Sequence, residues 1–142
     1  MTDAALQILL VDDDDVACES VVRALKQRCG NTKVTVARDG RDALCVLRGL
    51  DESRPVGSPL MIVLDINMPG MNGHEFLDEL RGDAQLHHHV VFALSSSQSA
   101  DDMRAAYAKH VAGYIVKSAR DRYHSRLVDV LRAYQDGVSM MH

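Results

Sequence analysis

Apolar residues along this chain follow two alternating rhythms: short, nearly unbroken runs of strand length, and stretches in which they return every three or four positions. The runs are Leu6-Gln7-Ile8-Leu9-Leu10-Val11, Val34-Thr35-Val36-Ala37, Leu60-Met61-Ile62-Val63-Leu64-Asp65, Val90-Val91-Phe92-Ala93-Leu94 and Gly113-Tyr114-Ile115-Val116. Continuous apolar runs of this length, bounded by turn residues, predict strands buried on both faces of a parallel sheet. Between them, helical spacing predicts a helix over 16–28, capped by Asp15, with Val21, Val22 and Leu25 on its core side and Cys29-Gly30-Asn31 as its stop. Ala43, Leu44 and Leu47 predict a second helix over 41–48. A third covers 74–81, stopped by Gly82-Asp83, and a fourth covers 100–110. The last covers 121–134, with Leu127, Val128, Leu131 and Tyr134 inward. Residues 49–59 carry two Pro, two Gly and two Ser. They read as a surface loop, because neither side of them alone could build a core.

Five strands alternating with five helices imply an α/β fold, a doubly wound (βα)5 parallel sheet of flavodoxin-like order 2-1-3-4-5. At 142 residues, one domain spanning 1–142 is expected, with its core at about 6–135 and a frayed tail over 136–142. The net charge of −4, without Trp or a basic stripe, argues against a nucleic-acid surface. No apolar run is long enough for a membrane span, and the first residues lack a signal-peptide pattern, so a cytoplasmic protein is expected. Cys18, Cys29 and Cys45 lack Cys-x-x-Cys spacing and read as reduced, mostly buried thiols.

The chemistry gathers at the strand ends. In a parallel sheet all C-terminal ends share one edge, where open α/β folds keep their sites. That edge would hold Asp12-Asp13-Asp14-Asp15, Asp65, Ser95-Ser96-Ser97 and Lys117. Two unit charges 4 Å apart interact by about 4 kcal/mol at an effective dielectric near 20, so crowded carboxylates call for a cation. All-oxygen ligation suits Mg²⁺. With the metal and Lys117 neutralising phosphate oxygens, Asp65 could act as an in-line nucleophile and Ser95 could hydrogen-bond a phosphoryl oxygen, which reads as phosphoryl capture on Asp65. Three other readings fail on particular residues. An FMN phosphate would meet the acidic run after the first strand. An EF-hand loop starting at Asp65 is interrupted by Pro69 and has Phe76 at its twelfth position. A haloacid-dehalogenase-like phosphatase needs a second Asp where Asn67 stands. His87-His88-His89 reads as a solvated loop, since successive side chains cannot all face one metal on a regular element.

Together, Leu9-Leu10-Val11-Asp12-Asp13, Leu64-Asp65-Ile66-Asn67-Met68-Pro69-Gly70-Met71-Asn72-Gly73, Ser95 and Gly113-Tyr114-Ile115-Val116-Lys117 resemble the receiver domain of two-component response regulators, over Ile8 to about Tyr134. The resemblance implies that Asp65 is the phosphoacceptor, with Mg²⁺ held by Asp13, the Asp65 carboxylate and the Asn67 carbonyl, and Asp12 acting mainly through water. It makes Ser95 and Tyr114 the switch pair that alters the face formed by the fourth helix, fifth strand and fifth helix. Asn67 and Ser97 take the two positions that tune phosphoryl lifetime. It implies a phosphoacceptor switch and not an enzyme, beyond self-phosphorylation from small donors and autodephosphorylation. The implied partners are a sensor histidine kinase or phosphotransfer protein, an unknown downstream protein and, by family analogy, a second copy in a homodimer. With no output domain after the fifth helix, the chain resembles stand-alone receivers, and its long loop before the third strand is similar to that of phytochrome-associated ones. The alternative is a pseudo-receiver, a binding module indifferent to phosphorylation. Where the family has Pro after the last Lys, joined by a cis peptide, this chain has Ser118, and a non-proline cis bond costs about 3–4 kcal/mol. Cis and trans both stay open at that bond, and with them the path of the loop beyond Lys117.

Overall fold

In the computed structural model, which describes residues 6–68, 70–117 and 123–137, strands and helices alternate strictly. They are β1 (Gln7–Val11), α1 (Asp15–Arg28), β2 (Lys33–Ala37), α2 (Gly40–Leu47), β3 (Leu60–Asp65), α3 (Gly73–Gly82), β4 (Val90–Ser95), α4 (Ala100–Ala108), β5 (Gly113–Val116) and α5 (Tyr123–Gly137). The sheet runs β2-β1-β3-β4-β5, every neighbouring pair parallel. β3 is the central strand, and all six of its residues are buried, as its unbroken apolar run requires.

Alternation along the strands splits the interior into two cores. Leu9, Val11, Ile62, Leu64 and Ala93 face Ala43, Leu44, Phe76, Leu77, Leu80 and Ala106 of α2, α3 and α4. Ile8, Leu10, Met61, Val63, Phe92 and Leu94 face Cys18, Val21 and Leu25 of α1 and Leu127, Val128 and Leu131 of α5. The Phe92 and Tyr134 rings meet edge to face, 5.5 Å apart.

The differences from the expected boundaries have local causes. Within the acidic run it is Asp14, one residue earlier than expected, that caps α1, its carboxylate accepting from the Val16 and Ala17 N–H groups. Ser95 belongs to β4 and not to the following loop, because it pairs with Val116 of β5. α4 stops at Ala108, two residues short, where His110 takes a left-handed conformation at φ 62°. α5 runs on to Gly137, three residues further than expected. Its expected first residues 121–122, the tail 138–142 and the Lys117–Ser118 peptide lie outside the described residues.

Two arginines close the frame. At the C-terminal end of α3, the half-buried Arg81 donates to the carbonyls of His87, His89, Lys109 and His110 at 2.7–2.9 Å, tying the loops that enter β4 and β5. Its burial lowers its pKa. His87 and His88 are exposed and His89 is half-buried, where burial brings its imidazole down to about 4. In the α2–β3 loop, Arg54 grips both carboxylate oxygens of Asp42 at 2.6 and 2.9 Å, pairs with Asp51 and donates to the Val36 carbonyl on the outer edge of β2.

Candidate functional site

The C-terminal ends of β1, β3, β4 and β5 deliver Asp12, Asp65, Ser95 and Lys117 to one sheet edge. Beyond β3 the chain must turn tightly into α3. Asn72 caps that helix in a reciprocal box with Glu75. Gly73 lies so close to the strand end that a Cβ there would meet the Ile66 Cα at 2.6 Å. A side chain at this position would push α3 off the end of β3 and displace the Asp65 turn.

At the edge, Asp12 and Asp65 are only 2% and 5% exposed, whereas Asp13 is exposed. One carboxylate oxygen from each of the three falls within 4.8 Å of the others. Lys117 Nζ stands between the two buried carboxylates, 3.3 Å from Asp12 Oδ2 and 3.2 Å from Asp65 Oδ2. The other Asp12 oxygen accepts from the Asp14 N–H at 2.9 Å, and the other Asp65 oxygen from the Asn67 N–H at 3.1 Å.

Burial pushes the Asp65 carboxyl up to about 6; Lys117 pulls it down and Asp12 pushes it up again. Burial alone would lower the Lys117 ammonium, but Asp65 and Asp12 outweigh it and hold its pKa above the ordinary lysine value. One ammonium therefore serves two buried carboxylates with a third at the rim. That donor set, all oxygen and in excess of negative charge, fits a hard divalent cation.

Ser95 is fully buried beside this cluster. Its Oγ accepts from Asn67 Nδ2 at 3.0 Å and from the Ser97 N–H at 3.0 Å. Asn67 Nδ2 also reaches Ser96 Oγ, at 3.3 Å. The Ser97 hydroxyl donates to Asp102 in the first turn of α4 at 2.5 Å, and the Tyr114 hydroxyl donates to the Ser97 carbonyl at 3.1 Å. Tyr114 is half-buried, its ring against the core under α2, α3 and α4. Asp12, Asp13, Asp65, Asn67, Ser95, Ser97, Tyr114 and Lys117, all singled out from the sequence, thus occupy one continuous region. Two neighbours were not foreseen, the Tyr123 ring 5.7 Å from Lys117 Nζ and the Cys18 thiol, which donates to the Asp12 carbonyl at 3.6 Å, while Ser96 stands at this edge with the rest of the serine run. Burial, with Asp12, Asp15 and Asp14 nearby, raises that thiol to about 11. A serine run gives some signal for Ser96; Tyr123 and Cys18 had none, since their proximity arises from helix packing.

Comparison with known proteins gives the same picture. The response regulator receiver domain family matches residues 8–129. The probable methanogenesis regulatory protein FilR2 of Methanothrix harundinacea is 33% identical over 127 residues, covering 89% of this chain and 81% of that protein. Response regulator Rcp1 of Synechocystis is 33% identical over 111 residues, covering 78% and 76%, and its structure has been determined in a Mn²⁺-bound form. The structure of the phosphorylated cyanobacterial phytochrome response regulator RcpA superposes with a TM-score of 0.86 at 30% identity, covering 98% of this chain and all of that one. The chain belongs to the response regulator receiver domain family of two-component systems.

Proposed function

We propose that this chain is a Mg²⁺-dependent phosphoryl-accepting switch of the cytoplasm, modified on Asp65 by a sensor histidine kinase or phosphotransfer protein. The observation that carries this reading is Lys117 Nζ set between Asp12 and Asp65, with the Asp13 carboxylate in the same cluster. Asp12, Asp13, Asp65 and the Asn67 carbonyl would hold the metal, which supplies positive charge beside the incoming phosphoryl oxygens. An Asp65 carboxylate oxygen attacks phosphorus in line as the bond to the donor nitrogen breaks. The imidazole keeps that electron pair, and an acyl phosphate remains on Asp65. Lys117 then pairs with a phosphoryl oxygen and Ser95 donates to another. The new bond at Ser95 is passed through Ser97 and Tyr114 to the face formed by α4, β5 and α5. Hydrolysis restores the carboxylate and releases inorganic phosphate. The similarity to RcpA along its whole length supports a phytochrome-type kinase as the donor's source.

Intact mass after incubation with Mg²⁺ and a small acyl-phosphate donor tests the reading. One phosphoryl adduct is expected on the wild type, absent in Asp65→Asn and absent with EDTA. An adduct that persists in Asp65→Asn would move the site elsewhere. A wild type that neither forms an adduct nor binds Mg²⁺ or a beryllofluoride mimic would leave a phosphorylation-independent binding module.

A further inference from the structure

The hydrogen bonds at Ser95 carry more than the presence of a hydroxyl near Asp65. A serine hydroxyl has two acceptor sites and one proton. Here both acceptor sites are occupied, by Asn67 Nδ2 and by the Ser97 N–H, each at 3.0 Å. With its acceptor capacity spent on donors from two directions, the rotor of this fully buried hydroxyl is fixed and its proton is left for an acceptor that arrives later. The Asn67 amide nitrogen is set in turn: its two protons meet Ser95 Oγ and Ser96 Oγ, at 3.0 and 3.3 Å. The Asn67 backbone is tied to the strand end by its own N–H bond to Asp65 at 3.1 Å.

We propose that the Asn67 side chain, anchored by the exposed Ser96, is a positioning residue that presets the Ser95 hydroxyl as a hydrogen-bond donor to the phosphoryl group on Asp65. The proposal rests on the phosphoreceiver reading above. It assigns Asn67 an action through Ser95 instead of on the phosphoryl group or an attacking water. It gives Ser96, whose hydroxyl bonds neither Asp65 nor Lys117 among the described residues, a part in the same device.

The test is a double-mutant cycle on the beryllofluoride complex. The fluoroberyllate concentration that half-saturates the protein is read by ¹⁹F NMR at fixed Mg²⁺, with thermal melts as the check on folding. Asn67→Ala is expected to raise the half-saturating concentration about fivefold and Ser96→Ala about twofold, the scale of one hydrogen bond and of a weaker, indirect one. In a Ser95→Ala background both effects should vanish, because the hydroxyl they position is gone. An undiminished Asn67→Ala effect in that background, or no effect of Asn67→Ala on the wild type, overturns the proposal while leaving the receiver reading intact. A wild type that binds no fluoroberyllate at all overturns the receiver reading, and this inference with it.

Discussion

At the scale of single residues, the site is held in a state of deliberate imbalance. Asp65 sits at about 6 because burial raises it by more than Lys117 lowers it. A folded-state value above the ordinary carboxylate value means that the folded protein binds more protons than the unfolded chain between about pH 4 and pH 6. The stabilising effect is present below that window and lost as the pH rises through it. Without metal, Asp65→Asn, a mimic of the neutral carboxyl, should therefore stabilise the domain at pH 7.5 by about 1–3 kcal/mol and gain nothing near pH 4. Urea melts of both proteins in EDTA at the two pH values check this, and a loss of stability at pH 7.5 would mean that the Lys117 pair outweighs burial. The carboxylates and Lys117 were legible in the sequence because each stands directly after a strand run, and parallel strands must bring those ends together. The bond from Asn67 to Ser95 was not, since it joins the turn after β3 to the end of β4 and depends on an amide rotamer that no spacing encodes.

Among the elements, the strands were legible to within a residue because each apolar run is closed by polar or turn residues, in the partly buried edge strands β2 and β5 as in the fully buried β3. Helix ends were not. Any of four consecutive aspartates can cap α1, and the winner, Asp14, is chosen by where β1 lets the chain turn. Least legible were the arginines, whose partners include backbone carbonyls far along the chain. Arg81 satisfies four carbonyls at the edge of the sheet opposite Asp65, and removing it leaves the part-buried carbonyls of His89 and Lys109 without a side-chain donor among the described residues. Arg81→Ala should cost about 3 kcal/mol, and Arg81→Lys, with one point charge in place of a fork, most of that. Thermal melts measure the loss. Labelling of Asp65 on folded protein should stay at the wild-type rate, and a parallel loss of labelling would show the two edges to be coupled.

On the scale of the whole molecule, the sheet separates a chemical edge from a structural one, and the two helical layers bury β3 between them. Binding of a divalent cation at the acidic edge is then linked to the stability of the entire fold. At a hundred times its dissociation constant, Mg²⁺ should stabilise the wild type by about 2.7 kcal/mol. Asp13→Asn removes a carboxylate that is exposed and contributes little to packing. It should melt like the wild type in EDTA and lose most of the Mg²⁺-dependent gain; an equal gain in both would take Asp13 out of the metal set. No helix among the described residues is long and apolar enough to cross a membrane. The loop between α2 and β3 has its consequence at this scale too. β2 is an edge strand whose Ala37 carbonyl is taken by the N–H of Asp12 just beyond β1, so the neighbouring Val36 carbonyl points away from the sheet, and Arg54 occupies it. A strand arriving from another chain would have to evict a guanidinium already clamped to Asp42 before it could pair there, so the long loop works as a guard against edge-to-edge association as well as a connection between layers.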